Sequence, residues 1–179
     1  MNIIINKDEI LGKGVDGIIY KATINNLSIV VKIMVNIMTR EELDEFIKIN
    51  KIADKLNIGP KIYDIQVKDN EIYIFMEKLE YDLSKYIEKK IEEGKNIEWI
   101  KNKIKILISP IHKIMKRNNI TIGDKTIDNY MFINSTIKKI DYTKSHLKKI
   151  LNTKDIKDYN VIYIYNYITK TIEPVFLSL

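Results

Sequence analysis

The chain contains no cysteine and only two histidines, His112 and His146. Disulfides, thiolate metal centres and cysteine nucleophiles are therefore excluded, and so is a histidine-rich metal site. Proline occurs three times, glycine six times and tryptophan once, so no proline-rich spacer or glycine-rich linker divides the chain. No apolar run reaches the roughly 20 residues that a bilayer-spanning helix needs. The opening Met1-Asn2-Ile3-Ile4-Ile5-Asn6-Lys7-Asp8-Glu9 lacks the charged head, long apolar centre and small-residue cleavage site of a signal peptide. These absences lead us to expect an intracellular, cytoplasmic protein with no membrane partner.

What is present in the 179 residues is 45% hydrophobic and 30% charged, the balance of a folded domain or of two small lobes. A formal net charge of +6 is compatible with nucleotides or nucleic acid as partners. The lysines, however, are scattered among isoleucines and asparagines throughout. That is the usage expected of an AT-rich genome, such as a large DNA virus or an AT-rich microbe, and charge alone selects no partner.

The first part reads as strands around Glu9-Ile10-Leu11, Gly17 to Thr23 and Leu27 to Met34, with a turn at Asn25-Asn26. From Thr39, an N-cap candidate, Leu43, Phe46, Ile47, Ile49 and Ala53 recur at helical spacing, and Asn57-Ile58-Gly59-Pro60 ends that helix. Strands at Lys61 to Val67 and Glu71 to Met76 enclose a turn at Asp69-Asn70. The second part predicts helices over Asp82 to Lys90, Ile97 to Arg117 (bent or interrupted at Pro110) and Asp155 to Thr169. Short strands are expected near Ile120-Ile122, Met131-Ile133 and Ile137-Ile140. His112 reads as a packing or surface residue. Tyr142, Tyr159, Tyr163, Tyr165 and Tyr167 read as core rather than as base-stacking groups.

Three groups of residues carry chemistry. Gly12-Lys13-Gly14-Val15-Asp16-Gly17 is followed by a strand, not by the helix that would open in a dinucleotide fold. A glycine-rich hairpin lets backbone N–H groups approach phosphate oxygens without Cβ obstruction. Lys32 ends the apolar Ile29-Val30-Val31, where a cation is costly unless paired with an acid or kept in reach of water; Glu41, Glu42 and Glu45 are its candidate partners. Asp124 stands five positions before Asn129, and Asp141 follows the next hairpin. This set suits an acceptor hydroxyl oriented by Asp124 and Mg²⁺ held by the oxygens of Asn129 and Asp141.

In these motifs the sequence resembles the eukaryotic-type protein kinase superfamily over nearly its whole length. Gly12, Gly14, Gly17 and Ile19 resemble the glycine-rich loop, Lys32 the third-strand lysine, and Asp124 with Asn129 the catalytic loop. Asp141 resembles the metal-binding aspartate of the DFG motif, and Met76-Glu77-Lys78-Leu79 falls at the hinge that presents backbone groups to adenine. The spacing of Glu45 to Pro60 and of Asp141 to Asp158 is similar to the compact atypical kinases, namely the small kinase subunit of the KEOPS tRNA-modification complex and, more distantly, the RIO kinases. The resemblance implies an α+β, bilobal kinase-like fold within one minimal domain. Residues 1–79 would form a five-stranded antiparallel N-lobe with one helix, plus the hinge, and 80–179 a truncated, mainly helical C-lobe.

By the same resemblance, Glu45 pairs with Lys32, Asp158 braces the catalytic loop, and ATP with Mg²⁺ is the cofactor set. The activity implied is a phosphotransferase acting on a Ser/Thr hydroxyl of a protein acceptor. Ile122, Thr126 and Thr143 depart from the family pattern, and no long activation segment is present, so a protein partner could complete substrate recognition. An ATPase servicing a tRNA-modification assembly, a pseudokinase binding module and a small-molecule kinase are the other readings.

Overall fold

A computed structural model of the chain describes residues 2–121 and 126–142, and the backbone alone of Val161–Asn166 and Thr171–Phe176. The chain divides into two compact units, Met1–Leu79 and Glu80–Leu179. Its class is α+β, with a five-stranded antiparallel sheet in the first unit and three α-helices among the described residues.

The sheet comprises β1 (Ile3–Gly14), β2 (Gly17–Ile24), β3 (Leu27–Val35), β4 (Ile62–Lys68) and β5 (Glu71–Met76), in the order β1-β2-β3-β5-β4. The hairpins form where two adjacent residues accept left-handed backbone. Asn25 and Asn26 have φ of 47° and 67°, and Asp69 and Asn70 have 51° and 62°. Two-residue hairpin turns require positive φ at both positions, and Asn and Asp tolerate it best after glycine.

Period-two alternation then sorts the side chains. On one face Ala22, Ile24, Ile29, Val31, Ile33 and Phe75 form a buried cluster. On the other, Met34, Ile72 and Ile74 pack against Phe46 of α1 (Arg40–Lys55), with Leu43 and Ile47 beside it. The helix starts at a capping box: Thr39 Oγ1 accepts from the Glu42 N–H, and the Glu42 carboxylate accepts from the Thr39 N–H at 2.8 Å. Beyond its end, Asn57 takes the left-handed conformation at φ 56°.

The second unit begins with β6 (Tyr81–Asp82), α2 (Leu83–Glu92) and α3 (Ile97–Arg117). Asp82 and Asn96 cap the two helices, accepting from the backbone N–H groups of Lys85 and Trp99 at 2.8 Å each. Of the bend or interruption expected at Pro110, the interruption does not occur, and α3 runs through it. Pro110 and Ile106, the residue whose carbonyl it leaves without an N–H partner, are both exposed, so water can take that place at little cost. A 3₁₀ turn at Ile127–Asn129 leads into β7 (Tyr130–Ile133) and β8 (Thr136–Lys139), which with β6 form a three-stranded sheet.

Of the helix expected over Asp155 to Thr169, the part that falls on described residues, Val161–Asn166, is extended instead. Val161–Asn166 is β9, paired antiparallel with β10, Thr171–Phe176. The alternating Ile and Tyr of this stretch favour an extended chain over a helix. Pro174 fits because a two-stranded ribbon does not require its missing N–H.

Candidate functional site

In the first unit, strand register collects the candidate nucleotide-handling residues. Gly12 pairs with Ile19, Ile19 with Lys32, Lys32 with Ile74, and Ile74 with Ile65. These five residues form one transverse row across the sheet. Because Ile74 and Ile65 lie on the α1 face, so do Ile19 and Lys32. Met76 shares that face one step along, opposite Val30. Lys32 is half-buried among these apolar side chains, and Glu45 is half-buried on the second turn of α1. The Glu42 carboxylate is engaged in the capping box, accepting from both the N–H and the hydroxyl of Thr39. That leaves Glu45 as the acid on α1 best suited to face the sheet.

The three glycines differ in what the fold asks of them. Gly17 has φ +150°, and a Cβ there would lie 2.4 Å from the Ile33 carbonyl oxygen. Close approach of β2 to β3 therefore requires glycine at this position. A Cβ on Gly12 would meet nothing nearer than Ile19 Cδ1 at 3.7 Å, and one on Gly14 only the Gly17 carbonyl at 4.0 Å. Both are ordinary contacts, so the protein's own packing does not require glycine at Gly12 or Gly14.

The segment after β5 is pinned to the entrance of β4. The Glu77 N–H donates to the Lys61 carbonyl at 2.9 Å, and the Lys61 N–H donates to the Glu77 carboxylate at 2.7 Å. The Leu79 N–H makes no hydrogen bond to any described residue.

In the second unit, the ladder joining Tyr130 to Lys139 continues one step further, because the Ile140 N–H donates to the Asn129 carbonyl at 2.8 Å. This brings Asn129 beside the Ile140-Asp141 segment. The Asn129 side-chain amide donates to Thr126 Oγ1 at 3.1 Å, which fixes the carboxamide and leaves Oδ1 as its acceptor end. Asp141 is half-buried and has φ 59°. A carboxamide oxygen and a carboxylate are hard oxygen donors of the kind Mg²⁺ takes. Among the described residues, no group of three or more His, Cys, Asp or Glu side chains is placed to hold a metal ion. Asp124 and Asp158, with the departures at Ile122 and Thr143, fall outside the described residues.

Sequence reasoning missed a buried polar chain behind this hairpin. His112 on α3 is fully buried, and its Nε2 lies 2.6 Å from the Tyr130 hydroxyl. Lys139, also fully buried, places Nζ 5.6 Å from the Tyr130 ring centre and 5.4 Å from that of Tyr142. Its ammonium donates to the carbonyls of Ile140 at 3.2 Å and Asp141 at 3.1 Å. Tyr142 is core, as expected, and burial pushes its phenol up well beyond the ordinary tyrosine range. No local pattern marks Lys139, and only the hairpin register shows that it lies opposite the buried Tyr130.

No protein-family model and no curated protein matches this chain. No helix among the described residues is long and apolar enough to cross a membrane.

Proposed function

We propose that the chain is an ATP- and Mg²⁺-dependent phosphotransferase with a compact kinase-like fold, acting on a Ser/Thr hydroxyl of a protein. The observation that carries this reading is the transverse row. A glycine with no packing reason to be glycine, an apolar residue and a half-buried lysine lie side by side, with Glu45 on the helix that covers that face.

In this reading the backbone N–H groups around Gly12 and Gly14 approach the phosphates, and the Lys32 ammonium neutralises them while Glu45 holds its stem in place. Ile19 and Met76 supply apolar walls for a base, and the Leu79 N–H and Glu77 carbonyl its polar edge. Asn129 and Asp141 would hold Mg²⁺, whose charge offsets that building on the phosphoryl oxygens. Asp124 orients the acceptor hydroxyl and takes its proton, while Asp158 braces the backbone around Asp124.

The test is transfer of labelled γ-phosphate to protein, with release of free phosphate measured alongside. Asp124→Asn should slow transfer by about 10²–10⁴-fold while ATP still binds. Equal rates for variant and wild type remove Asp124 from the mechanism. Label appearing only as free phosphate, with or without tRNA, replaces the kinase reading by an ATPase one.

A further inference from the structure

We propose that Lys139 is a positioning residue for Asp141: its buried ammonium clasps the two carbonyls that flank the metal-binding candidate and fixes the carboxylate for Mg²⁺. The inference rests on the metal role assigned to Asp141 in the proposed function. Consecutive carbonyls of an extended chain point to opposite sides. Here the carbonyls of Ile140 and Asp141 both reach one Nζ, at 3.2 and 3.1 Å, and Asp141 turns the chain at φ 59°.

A fully buried lysine is costly where a methionine of similar length could fill the same space. What the methionine could not supply is the grip on those carbonyls. The cation lies near the faces of two rings, Tyr130 at 5.6 Å and Tyr142 at 5.4 Å, and Tyr130 is anchored in turn to His112 of α3 at 2.6 Å. The left-handed turn at Asp141 is thereby tied to α3. Groups that orient a metal ligand without touching the metal commonly set its affinity by one to two orders of magnitude.

The experiment is calorimetric titration of the full chain with ATP, with and without Mg²⁺, for wild type, Lys139→Met and Tyr142→Leu. In Lys139→Met the gain in affinity that Mg²⁺ confers should fall at least about tenfold, while metal-free ATP binding stays within about twofold of wild type. Loss of metal-free binding in equal measure would mark a general structural role and overturn the proposal. So would a magnesium-linked gain equal to that of wild type. Should Lys139→Met fail to fold, Tyr142→Leu keeps the lysine and removes one ring. A drop of about threefold or more in its magnesium-linked gain supports the clasp, and no change overturns it. A wild-type chain that binds ATP with no magnesium-linked gain refutes the metal role of Asp141 itself. A normal wild-type gain that Lys139→Met retains refutes only the clasp.

Discussion

In the first unit the candidate residues ride on a continuous sheet, whereas in the second they sit on a one-turn 3₁₀ helix and the end of a short hairpin. The sheet places Gly12, Ile19 and Lys32 by register alone, and register is enforced by two apolar faces that a one-residue slip would exchange. The hairpin of β7 and β8 has only four residues per strand. Its apolar packing, through Phe132 and Ile137, is joined by individual buried polar contacts, the His112–Tyr130 bond and the Lys139 clasp. The candidate residues of the first unit are thus placed by many interchangeable contacts, and those of the second also by a few specific ones.

The largest effect should come from the glycines of the first unit. Gly17→Ala places a Cβ 2.4 Å from the Ile33 carbonyl oxygen, so β2 and β3 must separate. The expected loss is at least about 3 kcal/mol, the upper end of ordinary single-site effects. Gly12→Ala and Gly14→Ala meet only ordinary contacts and should stay within about 1 kcal/mol of wild type, yet weaken ATP binding. Urea denaturation and ATP titration of the three variants check both halves. Equal stability losses for all three would erase the distinction between a packing glycine and a ligand glycine.

A smaller effect separates the two units directly. Tyr130→Phe removes the hydroxyl 2.6 Å from His112 Nε2, with both residues fully buried. The expected loss is about 1–3 kcal/mol, because the imidazole loses a hydrogen-bond partner that water cannot replace. Ile29→Val in the sheet trims one methyl group from a fully buried side chain and should cost about 0.5–1.5 kcal/mol. If Tyr130→Phe proves the milder of the two, the second unit is held as the first is, by bulk apolar packing.

This difference also explains what could be read in the sequence. The five strands, the Asn25-Asn26 and Asp69-Asn70 turns and the Thr39 cap announce themselves within a few residues, because each is a local preference. The face of Lys32 is not legible in this way, because Val30, Val31, Ile33 and Met34 around it are all apolar, and pairing with Ile19 and Ile74 decides it. Lys138-Lys139 looks like a solvated pair, and nothing local says that Lys138 and Lys139 are both buried. His112 likewise sits on an apolar helix face without announcing Tyr130, which lies 18 positions away. The Tyr- and Ile-rich stretch Val161–Asn166 falls inside the span read as a helix, yet its β preference prevails and it pairs as a strand. Contacts between distant residues decide the burial of Lys139 and the pairing of His112, and composition is silent on both.

The smallest effect bears on which acid serves Lys32. Glu42 and Glu45 are three positions apart on α1, but only Glu42 is bound to the helix start, accepting from Thr39 N–H and Oγ1 at 2.8 and 3.0 Å. Thr39→Ala removes one side of that box and should cost about 1 kcal/mol of stability without altering ATP affinity, since the helix remains anchored by Phe46, Leu43 and Ile47. Glu45→Gln leaves the box intact, so the thermal midpoint should hold while the affinity for ATP falls by about tenfold, the loss expected when a lysine that meets phosphate loses the carboxylate orienting it. Thermal unfolding and ATP titration of the two variants give opposite patterns if Glu45 is the partner. The reverse outcome, with Glu45→Gln binding ATP normally, would return the pairing to Glu42 and require the capping box to open when nucleotide binds.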